Sequence, residues 1–86
     1  MPRISEFYGI VISMYHSDHD PPHFHAVYGE FKAKIGLDPI AITSGSLPAR
    51  AERLIQEWAE LHRQELLANW HRARRLQALR TIKPLP

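Results

Sequence analysis

Pro21-Pro22 is the feature that most narrows what this chain can fold into. Two consecutive residues without a backbone N–H cannot sit inside a β-ladder, so any strand on either side must stop there. The run before them, FYGIVISMY over residues 7–15, is β-branched and aromatic and reads as a first strand, with Tyr8, Ile10, Ile12 and Met14 on the core face. The runs after them, 23–28 and 31–37, read as a hairpin around Gly29-Glu30, because glycine at the first position of a two-residue loop suits a type II′ turn. That register sets Tyr28 opposite Phe31, Ala26 opposite Ala33 and Phe24 opposite Ile35 toward the core. His23, His25 and Val27 then face Gly36, Lys34 and Lys32 on the other side. Asp38-Pro39 is a turn into a short fourth strand, 40–43.

Beyond Ser44-Gly45-Ser46 the pattern changes to helical, with Ser46 the expected N-cap and Pro48 in the first turn. Leu54, Ile55, Trp58 and Leu61 form one apolar stripe, and Leu66, Leu67 and Trp70 form another displaced by roughly a quarter turn or more. A straight helix would aim the two stripes at different partners. The expectation is therefore two helices, 48–62 and 64–75, with a break near His62, and a single continuous helix as the alternative. The fold class is α+β: an antiparallel sheet of three to four strands followed by two helices packed on one of its faces. The 86 residues make a single domain, with 1–6 as an N-terminal arm and 81–86, which hold two prolines, as an extended tail.

Charge divides the chain. The net charge is +2, but residues 1–49 hold three basic against five acidic residues, whereas 70–83 hold Arg72, Arg74, Arg75, Arg80 and Lys83 and no acid. Such a tail suits an anionic partner, either nucleic acid or an acidic protein, or else a solvated helix end whose arginines complement the dipole. There is no cysteine, which excludes disulfides and thiolate metal sites and suits a cytoplasmic location. No apolar run approaches the roughly 18 residues of a membrane span, and no membrane partner is expected.

The chemistry is concentrated in Tyr15 to His25, YHSDHDPPHFH, which contains four of the six histidines and two aspartates. Together with ISEFYGIVISMY, DHDPPHFHAVYGEFKA, LPARAERLIQEWAELHRQELLANW and IKPL, this segment closely resembles the small bacterial proteins of domain-of-unknown-function family 4160 (DUF4160) from Ile4 to Leu85. His19-Asp20-Pro21-Pro22-His23-Phe24-His25 is the most distinctive piece. The resemblance implies a toxin–antitoxin component with a small cognate protein as partner, and it implies no particular chemistry.

Three readings of the histidine segment follow. In the first, His23 and His25 project to one side of a strand, His19 adds a third imidazole, and Asp20 or Asp18 adds a carboxylate. That set would hold a divalent transition metal with an open position. In the second, His19, His23 and His25 are acid/base groups of an RNA-binding or RNA-cleaving site, with Lys32, Lys34, Arg72, Arg74 and Arg75 contacting phosphates. In the third, the aspartates cap their own turn, and the loop is a scaffold for a protein partner or for a homo-oligomer contact. Lys34 opposite His25 weighs against a cation and toward an anion. Trp58 and Trp70 are expected in the core, and His62 at a helix end.

Overall fold

The computed structural model describes residues 2–86. Five strands form one antiparallel meander in chain order: β1 Arg3–Phe7, β2 Ile10–Ser13, β3 His23–Tyr28, β4 Phe31–Leu37 and β5 Ile40–Gly45. Two helices follow, α1 Ala49–Leu61 and α2 Arg63–Arg74. The α+β class and the helices after the sheet are as the sequence predicts.

The sheet gains a strand at its N-terminal edge. Residues 3–7, read as part of an arm and the start of a long strand, pair with β2 through Phe7↔Ile10 and Glu6↔Val11. The turn between them is Tyr8-Gly9, both at positive φ (50° and 80°), the signature of a type I′ hairpin. Tyr8 therefore leaves the core face and is 51% exposed, while Ile10, Ile12 and Met14 are fully buried.

The central hairpin has the expected register at every pair, from His23↔Gly36 through His25↔Lys34 to Tyr28↔Phe31. Gly29 sits at φ 58° and supplies the left-handed residue that the turn requires. Phe31, at the hairpin end, is 43% exposed rather than part of the core. β5 runs two residues past the predicted fourth strand, and its pairing with β4 shifts between Lys34 and Ile35.

The helical region breaks where the two stripes part. His62 has φ −117° and ψ 24° and is both the C-cap of α1 and the N-cap of α2. Its backbone N–H donates to the Trp58 carbonyl, and its ring Nδ1 lies 2.7 Å from Glu65 Oε1. Ser46 does not cap α1. Pro48 takes that place, and the Ser46 N–H donates to the Lys32 carbonyl instead. Trp58 fills the centre of the core between Phe7 and Phe24, with ring centroids 5.2 and 5.8 Å away. The tail after α2 has no helix or strand and is packed down, with Ile82 and Leu85 buried. No helix among the described residues is long and apolar enough to cross a membrane.

Candidate metal centre

β-strand parity places His23 and His25 on the face away from the core residues Phe24 and Ala26. A cross-strand row runs Ser13, His25, Lys34, Ser44 over four strands of that face. The loop before β3 then folds back so that Asp18 meets both histidines. Asp18 closes its own turn first: its N–H donates to the Tyr15 carbonyl, and its Oδ2 accepts from the Tyr15 N–H at 3.1 Å. The same carboxylate lies 3.1 and 3.2 Å from His25 Nε2 and 3.7 Å from His23 Nε2. One donor atom from each of Asp18, His23 and His25 lies within 4.8 Å of the other two.

The protons decide what this cluster can do. His23 Nδ1 is 2.8 Å from the Pro21 carbonyl oxygen, which can only accept, so Nδ1 carries a proton and, in the neutral ring, Nε2 holds the lone pair. That Nε2 is buried and has no hydrogen-bond partner, and at 3.7 Å it is too far from Asp18 for one. In the neutral ring that lone pair and the nearby Asp18 oxygen repel each other unless a cation, a proton on Nε2 or a metal ion, sits between them. Two ligands each about 2.1 Å from a tetrahedral metal ion stand about 3.4 Å apart. The two imidazole-to-carboxylate separations, 3.1 and 3.7 Å, bracket that span.

Burial lowers the His25 pKa below 6.5. The Asp18 carboxylate opposes this through its charge and hydrogen bond, and the His23 and Lys34 charges add to the lowering. The ring is therefore neutral at neutral pH, the form that ligates. Tyr15 packs against it in a T-shaped contact, with ring centroids 4.6 Å apart.

α2 holds the loop in place. Trp70 packs 5.3 Å from the His23 ring, and Arg74 lies over Trp70. Arg74 Nη1 donates to the Asp18 carbonyl at 2.6 Å, and its other terminal nitrogen is 3.9 Å from the Asp20 carboxylate. His16 Nε2 completes the attachment 2.8 Å from the Gln77 carbonyl.

The named candidates thus separate. His23 and His25 converge. His19 and Asp20 are exposed and stand outside the cluster, and Asp18 occupies the carboxylate position. Arg74 grips the loop and Arg72 bonds Asn69, while Arg75 is exposed just past α2. Lys32 and Lys34 are exposed on β4 and make no ion pair among the described residues. Trp70, Arg74 and Tyr15 carry no local sequence signal for these contacts. For Asp18 the i, i+3 spacing from Tyr15 is the available hint, since an aspartate so placed can cap a turn.

The profile of the domain of unknown function DUF4160 matches residues 9–71. The chain belongs to that family. The matched region contains every member of the Asp18, His23 and His25 cluster, along with Lys34 and Trp70, and stops short of Arg74. No curated protein and no solved structure matches the chain.

Proposed function

We propose that this DUF4160 protein binds one divalent transition-metal ion through Asp18, His23 and His25 and presents it, with open coordination positions, to the exposed face of the sheet. The observation that carries this reading is the buried His23 Nε2, which has no hydrogen bond and lies 3.7 Å from the Asp18 carboxylate. Two imidazoles and one carboxylate are a donor set suited to zinc or iron(II). The Pro21 carbonyl that fixes the His23 tautomer plays the orienting role that such ligands usually have. Metal entry displaces the proton shared between His25 and Asp18, so uptake releases protons.

The test is metal analysis of untagged protein after exposure to zinc and gel filtration. One equivalent of zinc is expected in the native chain, and much less than one in Asp18→Asn and His23→Ala. His19→Ala and Asp20→Asn should retain the full equivalent. Native protein that emerges without metal, or an Asp18→Asn variant that retains it, refutes the proposal.

A further inference from the structure

We infer that the face carrying this cluster holds an anion subsite for a phosphate ester with a flat, apolar alcohol portion, a deepening that rests on the metal reading above. The charge balance points there first. A divalent ion held by one carboxylate keeps a residual positive charge, and Lys34 stands directly across from His25 in the ladder. Cross-strand partners of this kind have side chains roughly 5 Å apart at Cβ. Lys32 lies two residues away on the same face, so β4 adds two ammonium groups with no ion-pair partner among the described residues.

Shape points the same way. Two grooves meet at the cluster, one of about 590 Å³ bordered by His25 and one of about 440 Å³ bordered by Asp18 and His23. Lys34 and Ser44 line both, so the ammonium and the hydroxyl stand at the junction beside the ligating atoms. A tetrahedral oxyanion there meets the metal, a charge and a hydrogen-bond donor at once. The larger groove runs on over Tyr15 and Val27, an aromatic and an aliphatic surface that selects for an apolar group attached to the phosphate.

The experiment is calorimetric titration of zinc-loaded, untagged protein with phenyl phosphate, inorganic phosphate and phenol, with zinc content measured on each sample. Phenyl phosphate should bind at least tenfold more tightly than inorganic phosphate, and phenol should not bind. Lys34→Ala should weaken phenyl phosphate at least tenfold at unchanged zinc content, with Lys34→Arg restoring most of the affinity. Tyr15→Ala should reduce the preference for phenyl phosphate over inorganic phosphate. Full zinc content with no phenyl phosphate binding, or with equal binding in Lys34→Ala, overturns the anion subsite and leaves the metal reading standing. Protein that takes up no zinc overturns both.

Discussion

His25 is where burial and charge oppose each other most directly. Burial favours the neutral ring, Asp18 favours the charged one, and the net result is a pKa below 6.5. In the metal-free protein the unfolded chain then binds a proton on His25 that the folded chain refuses. The contribution of this residue to stability is complete above pH 6.5 and is lost as the pH falls through the lower folded value. NMR titration of the metal-free protein should show the His25 ring changing protonation below pH 6.5, and His25→Gln should flatten the acid-side fall of urea stability. A His25 pKa above 6.5 would mean that Asp18 outweighs burial. His23 beside it is fixed by a different force, a carbonyl only two residues back in its own loop.

Among the elements, α2 does more than cover the sheet. Its Trp70 and Arg74 fix the His23 ring and the Asp18 backbone, so one helical turn positions two of the three residues of the cluster. Arg74 touches no donor atom of the cluster and acts as a positioning residue. Arg74→Gln should weaken zinc binding by about tenfold, with Arg74→Lys intermediate. Zinc competition against a chromophoric chelator measures this, and an unchanged circular dichroism spectrum separates it from unfolding. The basic run after Trp70 is therefore only partly a surface for anions. Arg74 serves the loop and Arg72 serves Asn69, which leaves Lys34, without an ion pair among the described residues, as the cation across the ladder from His25.

At the scale of the whole molecule, the tail ties the two layers together. Asn69 is fully buried in α2, donates to the Arg80 carbonyl and accepts from the Arg80 N–H, both within 2.9 Å. The Ile82 N–H then donates to the Ile4 carbonyl of β1, and Trp58 Nε1 donates to the Lys83 carbonyl. Asn69→Ala should cost about 1–3 kcal/mol by orphaning the Arg80 backbone groups, measurable by urea denaturation. Zinc stoichiometry should persist, because Asn69 touches none of the cluster. This docking was not readable from IKPLP, which shows only that the segment is extended. Nor was the Tyr8-Gly9 turn, since an aromatic residue at positive φ is unusual and FYGIV scans as continuous strand. The sequence alone carried the core positions Ile10, Ile12, Phe24 and Ala26, the central hairpin register and the favoured helix break, because parity, a glycine turn and the phase of an apolar stripe are local properties. It determined too that His23 and His25 share a face with Lys34. That Asp18, rather than Asp20 or His19, completes the cluster emerges only with tertiary packing. That choice depends on an arginine 56 residues away closing on the Asp18 carbonyl, a contact that exists only once α2 has packed beside the loop.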